Sequence, residues 1–239
     1  MNSKTEALVL HAVKYGEQRL VVDMFTRQHG RVSFIVALPR SPRSKVKKQY
    51  FQPLTLLSIE ADIRPQANLQ KLRDVALLTP LPSLLSHPSK LAIALFVAEF
   101  LYRALRDEQQ NEPLFDYVQS AIEWLDGQTA HIANFHLVFL MRLSRFLGFY
   151  PNLDSEGDYF DLRGATFCAV PPPHRDVLLP DEAARLRTLM RMDFSTMYLF
   201  HMNREQRARI LDTLLLYYRL HLPSLPELHS VVVLRELFD

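Results

Sequence analysis

Seven basic side chains, Arg27, Arg31, Arg40, Arg43, Lys45, Lys47 and Lys48, fall between Asp23 and Glu60 with no carboxylate among them. Charges of one sign at this density cannot cancel within their own segment, so they face water, a membrane surface or a polyanion. Five of the seven sit in residues 39–48, PRSPRSKVKK, where two prolines disfavour both strand and helix. That segment reads as an exposed basic loop. Its available chemistry is electrostatic capture of phosphates: each neutralised phosphate releases condensed counterions, so binding to single strands weakens with salt at a logarithmic slope of roughly 0.7 per contact. The adjoining Tyr50 is the expected base-stacking residue, a contact worth roughly 1–3 kcal/mol. Phe51 suits either stacking or a hydrophobic core.

Other constellations carry less. Arg142 and Arg145, at i,i+3 beside Leu143, Phe146 and Leu147, form either a cation-rimmed apolar strip able to take the acidic, hydrophobic end of a peptide, or two solvated arginines. His131 and His136 are five apart on a helical pattern, which sets them on different faces and argues against a shared metal. Cys168, His174 and Asp176 supply the residue types of a thiol hydrolase, but a proline-rich loop brings no activating geometry. None of the six glycines forms a phosphate-cradling motif. No catalytic residue, cofactor or metal is therefore expected. The single cysteine excludes an intrachain disulfide and fits a reducing compartment. The longest apolar stretch, residues 91–101, is interrupted by Glu99 and falls short of the roughly 20 residues of a membrane span. The polar opening MNSKTE has no apolar signal core, so a cytoplasmic protein without membrane contact is expected.

The elements that position the basic residues follow from periodicity. The formal charge of +2 hides an asymmetry: residues 1–80 hold 13 Lys or Arg against 6 Asp or Glu, and residues 81–239 hold 15 against 20. Residues 6–14 and 19–26 are strand-length runs separated by a turn glycine, Gly16; residues 31–38 follow a second turn at Gly30. Residues 54–61 make a fourth strand. Residues 69–77 make a fifth, although Leu69, Leu72 and Val75 also suit a helix. Five short strands in about 75 residues predict a small closed barrel of OB-like class, because closure removes sheet edges. Three prolines within residues 80–88 end the β region, and helical periods follow at residues 89–106, 112–125, 130–147, 181–192, 204–220 and 230–238. Asn203 and Gln206 make a capping box. Residues 149–176 form an insertion with a small hairpin, Tyr159-Phe160 against Phe167-Cys168. The expected organisation is a barrel domain at 1–80 and a helical domain at 81–239.

The opening ALVLH, the run GRVSFIVA, the basic loop, Gln52-Pro53-Leu54, LQKLRD, then LMRLSRFLGFYP and YFDLR, together resemble the bacterial recombination mediator family RecO across nearly the whole chain. The resemblance implies an N-terminal OB domain and a helical domain. It also implies binding of single- and double-stranded DNA, annealing of complementary strands, and assistance to RecA loading with RecR on strands coated by single-stranded-DNA-binding protein. In that family the helical domain receives the C-terminal tail of the coating protein, which would here fall to Arg142 and Arg145. DNA repair and recombination at the nucleoid are thus the expected setting. Many relatives bind zinc through four cysteines after the third helix; here only Cys168 is present, with Asp154, Asp158 and His174 around it, so thiolate ligation of that kind is excluded. An RNA-binding OB protein of ribosome or tRNA metabolism would use the same loop equally well, and a scaffold contacting an acidic protein is a third reading.

Overall fold

The computed structural model describes residues 2–38, 46–64 and 66–236. Five strands, β1 (Asn2–Lys14), β2 (Arg19–Thr26), β3 (Gly30–Ala37), β4 (Leu56–Asp62) and β5 (Gln70–Thr79), close into a barrel of order β1-β2-β3-β5-β4. Every neighbouring pair is antiparallel except β3 with β5, where Phe34 faces Gln70 and Ile35 faces Lys71. The interior is filled by alternate residues, among them Ala7, Val9, Val22, Met24, Phe34 and Ile59, as the period of two along a strand requires. A bulge in β1 between Val9 and His11 bends the strand. The fifth strand is a strand, with Val75 inward.

Before β4, Lys48–Phe51 forms a 3-10 turn that inserts Phe51 into the barrel core. Leu54 N donates to Val9 O at 2.8 Å and Val9 N to Thr55 O at 3.0 Å, so the segment that follows this turn is fastened to β1.

On β1 and β2 the residues of opposite parity, Leu8, Leu10 and Phe25, are also fully buried. Their outward side chains need a cover, and helices supply it. The chain folds as two compact units, Met1–Gly127 with Leu228–Val231, and Gln128–Glu227 with Val232–Asp239. Helices α1 (Pro88–Ala104) and α2 (Glu112–Gly127) fall in the first unit together with the barrel. Tyr102 packs on His11 with ring centroids 4.5 Å apart, and Phe115 on Phe25 at 5.8 Å. Lys90, only 3 % exposed, donates from Nζ to Ser83 Oγ and to the Asp126 carbonyl, both at 2.6 Å. The Asp126 carboxylate in turn accepts from the backbone N–H of Ser83 and Leu84. The Glu99 carboxylate accepts from His229 N, Ser230 N and the Ser230 hydroxyl, which ties 228–231 to this unit. Burial raises the pKa of Glu99, but these hydrogen bonds outweigh it and leave it lowered.

The second unit is built on α3 (Phe135–Phe146), α4 (Pro180–Arg191) and α5 (Arg204–His221), with α6 (Ser230–Glu236) following. The third helix starts at Phe135 rather than 130, because His131 takes a left-handed backbone, φ 62°. The Asn203–Gln206 capping box forms as expected. Within the insertion, β6 (Tyr159–Asp161), β7 (Thr166–Cys168) and β8 (Val177–Leu178) make a three-stranded sheet of order β7-β6-β8, one strand more than the expected hairpin. Phe160, Phe167 and Leu178 are buried, and Arg187 lies 3.7 Å from the Phe167 ring centroid. Among the described residues no helix is long and apolar enough to cross a membrane.

Candidate nucleic-acid interface

Of the seven cations, the four that are described, Arg27, Arg31, Lys47 and Lys48, differ in their surroundings. Arg27 follows β2 opposite Glu6 of β1, and its Nε reaches the Glu6 carboxylate at 2.6 Å while Nη1 reaches Asp116 of α2 at 2.5 Å. Its guanidinium also lies over the Phe115 ring, 4.8 Å from the centroid. Burial pulls its pKa down, yet the bonds and charges of Glu6 and Asp116 prevail and raise it. Arg31 donates from Nη1 to the Tyr102 carbonyl at 2.6 Å and approaches Asp23 at 3.5 Å. The expectation of unopposed charge thus fails at Arg27 and Arg31. Their partners are absent from the sequence window but adjacent in the fold, and both arginines fasten the barrel to its covering helices.

Lys47 and Lys48 are exposed and join no ion pair among the described residues. Arg40, Arg43 and Lys45 lie outside the described residues. Tyr50, expected to stack on bases, is half-buried on the 3-10 turn and packs against the barrel core beside Phe51.

Lys48 borders an opening of about 450 Å³ at the barrel end, lined also by Ala12, Lys14, Leu20, Gln49 and Phe51. Lys14, which charge counting along the sequence passed over, pairs with Leu20 across β1 and β2 and brings a further exposed ammonium to that mouth. The next residue, Tyr15, is 57 % exposed on the turn that Gly16 permits with φ 69°. Its signal in the sequence was an aromatic beside a turn glycine at the end of a strand. The mouth therefore combines ammonium groups, amides and a nearby free ring, the ingredients of non-specific single-strand binding.

In the second unit Arg142 donates from Nε and Nη2 to the Met192 carbonyl at 3.1 and 3.0 Å, closing the C-terminal end of α4. Arg145 lies over Tyr150, 4.1 Å from the centroid. Arg142 is half-buried and Arg145 exposed. A groove of about 500 Å³ lies between α4 and α5, with Leu179, Leu186 and Ile210 on its surface and Arg185 and Arg209 beside them. His136 is fully buried, and burial, reinforced by the charge of Arg207, pushes its pKa down to about 3. His174 Nε2 lies 3.3 Å from Asp161, and no group of three or more potential metal ligands occurs among the described residues. A four-cysteine zinc site does not fit a donor set with one half-buried thiol, Cys168.

Residues 1–81 match the family Recombination protein O N terminal, and residues 85–230 match Recombination protein O C terminal. The chain is 53 % identical over 242 residues to DNA repair protein RecO of Bacteroides fragilis, and 49 % identical over 241 residues to that of Phocaeicola vulgatus, with both chains of each pair covered in full. To DNA repair protein RecO of Flavobacterium psychrophilum it is 33 % identical over 242 residues, again with full coverage. A five-stranded barrel with a cationic mouth, followed by helices carrying a small sheet, is thus accompanied by end-to-end similarity, and the chain belongs to the RecO family of DNA repair proteins.

Proposed function

We propose that this chain is a non-enzymatic recombination mediator. It binds single- and double-stranded DNA, anneals complementary strands, and with RecR assists RecA loading on strands coated by single-stranded-DNA-binding protein, acting in the cytoplasm at the nucleoid. The observation that carries this reading is the pair of exposed lysines, Lys47 and Lys48, beside the barrel mouth with no carboxylate partner among the described residues. Arg40, Arg43 and Lys45 continue the same basic segment in sequence and are proposed as further phosphate contacts. Tyr15 replaces Tyr50 as the proposed stacking ring. Annealing on such a surface requires no proton transfer or nucleophile: two polyanions brought to one cationic site repel each other less and meet at higher local concentration.

The C-terminal tail of the coating protein is proposed to dock in the groove between α4 and α5, its apolar side chains on Leu186 and Ile210 and its carboxylates toward Arg185 and Arg209. Asp181 and Glu182 line the same groove, so the acidic part of the tail would keep to the arginine side.

The test is a fluorescence annealing assay with complementary oligonucleotides coated by the cognate single-stranded-DNA-binding protein. The wild type is expected to accelerate pairing, and the Lys47→Glu, Lys48→Glu variant to lose most of that acceleration while keeping its fold. No acceleration by the wild type overturns the reading. Structured RNA competing as well as single-stranded DNA would transfer it to RNA.

A further inference from the structure

We propose that a polar cleft of about 700 Å³ on the first compact unit, away from the barrel mouth, is a second site for a nucleic-acid sugar–phosphate backbone. The proposal rests on the nucleic-acid-binding reading above and extends it to residues outside the basic segment. One wall is the β4–β5 connection with Arg64 and Asn68, the other the α1–α2 connection with Arg106, Gln109 and Gln110, and Gln28 adds an amide from the β2–β3 turn. Arg64 and Arg106 are exposed and join no ion pair among the described residues. Asp107 is the one carboxylate on the lining among the described residues, and Arg31, also present there, is already committed to Asp23 and the Tyr102 carbonyl.

Both free arginines stand on backbone that is pinned. Gln70, 6 % exposed, accepts from Arg64 N at 2.9 Å through its side-chain oxygen and donates back to the carbonyls of Arg64 at 2.8 Å and Ala67 at 2.7 Å. Arg106 lies between Tyr102, whose carbonyl takes the Arg31 guanidinium, and Glu108, whose carbonyl takes Arg31 N at 3.0 Å. Gly30, with φ 65°, allows that approach, since a Cβ there would overlap the backbone of Glu108 and Gln109. Two guanidinium groups on opposite walls, each carried by a fixed main chain, present planar forks suited to phosphate oxygens with little ordering left to do on binding.

Among the described residues the cleft is lined by no Phe, Tyr or Trp, and its one ring, His29, is half-buried with Nε2 2.7 Å from Ser3 Oγ. A strand held there is gripped by its backbone through arginines and side-chain amides, with the one ring engaged by Ser3, so its bases stay open to a complementary strand. The cleft takes in Arg31, Val32 and Ser33 at the start of β3, whereas the mouth lies at the Val36 end, since Leu20 of the mouth pairs with Val36. At about 3.3 Å per residue the two lie roughly 15 Å apart along the strand, close enough for one oligonucleotide to engage both.

The experiment measures binding of a labelled homothymidine 20-mer against salt for the full chain and four variants. These are the cleft variant (Arg64→Glu, Arg106→Glu), the mouth variant (Lys47→Glu, Lys48→Glu), their combination, and a control of equal charge change at exposed positions of the second unit (Arg175→Glu, Arg191→Glu). The cleft variant is expected to lower the logarithmic salt slope by about 1.4, two contacts at roughly 0.7 each. The mouth variant should lower it by a similar amount, the combination by their sum, and the control should leave it unchanged. A cleft variant with the wild-type slope, or a control that loses as much, overturns the cleft. A silent cleft variant beside an impaired mouth variant would leave the proposed function standing without the cleft, and the reverse result would leave the cleft standing without the mouth. A wild type that binds no oligonucleotide overturns both.

Discussion

Arg27 separates a ligand contact from a structural tie, and replacing it with alanine reads out which it is. The side chain, 26 % exposed, joins Glu6, Asp116 and the Phe115 ring. Asp116 is more than half exposed, so solvent screening limits that pair to about 0.5 kcal/mol. The half-buried Glu6 bond, charge-assisted and short, contributes about 1 kcal/mol, and the contact with the Phe115 face roughly 0.5–1 kcal/mol. Together, Arg27→Ala should cost about 2–2.5 kcal/mol, a sizeable part of the roughly 5–15 kcal/mol that holds a domain together. For a unit of this size that corresponds to a drop in Tm of roughly 2–4 °C per kcal/mol. Thermal unfolding gives the stability, and oligonucleotide anisotropy well below the transition gives affinity and salt slope. The expected outcome is a clear loss of Tm with affinity and slope unchanged, the mirror image of Lys47→Ala, Lys48→Ala, which should leave Tm unchanged and lower the slope by about 1.4. An Arg27→Ala protein that keeps its Tm and binds oligonucleotide as weakly as the lysine variant would refute the assignment of Arg27 as a tie.

Gly30→Ala and Gly16→Ala form a matched pair, both at positive φ, one against the backbone of Glu108 and Gln109 and the other in open space. Denaturant unfolding should show about 1 kcal/mol lost at Gly16, the left-handed cost alone, and at least about 3 kcal/mol at Gly30, where overlap adds to it. His136, neutral when folded with a pKa near 3, takes up a proton in the unfolded chain below its ordinary value of about 6.5. Its depressed folded pKa leaves stability untouched above that value and removes it as pH falls, at up to about 1.4 kcal/mol per unit between 6.5 and 3. The slope of stability against pH should flatten by that amount in His136→Leu; equal slopes would contradict a neutral buried imidazole. Lys90→Met removes two hydrogen bonds from a buried ammonium and should cost about 1–3 kcal/mol. Hydrogen exchange should rise at residues 83–84 and 123–127 while β2 and β3 keep their protection.

The barrel was legible because its strands alternate, as Ala7 and Val9 or Phe34 and Val36 do inside it, and because turn glycines at 16 and 30 mark their ends. Its dependence on α1 and α2 was present in the run ALVLH, apolar at both parities, which a strand with one free face does not need. The helical positions followed from period and capping, except at residues 130–134, where hydropathy continues but the left-handed His131 stops the helix. The candidate site was less legible. A count of charges within a window cannot see a carboxylate that topology delivers from Glu6 on the paired strand or from Asp116 on a later helix. Lys14 was hidden for the converse reason: isolated in sequence, it reaches the mouth only through its register with Leu20.

The fate of individual cations follows their chemistry. Arginine offers five donors in a rigid plane and loses less hydration on burial than an ammonium, so where carbonyls or carboxylates converge the fold absorbs it. Arg27, Arg31, Arg142 and Arg187 all bind backbone or side-chain oxygens in this way. Lysine is a compact, strongly hydrated charge on a flexible stem; apart from Lys90, buried against Ser83 and the Asp126 carbonyl, the lysines near the mouth, Lys14, Lys47 and Lys48, stay in water, where a phosphate meets them at no cost in broken internal bonds. Arg64 and Arg106 depart from this division for a structural reason. Gln70 takes up the carbonyls of Arg64 and Ala67, and Arg31 those of Tyr102 and Glu108, so that neither guanidinium joins an ion pair among the described residues and both line the cleft beside Asp107, available to an oxyanion from outside the protein.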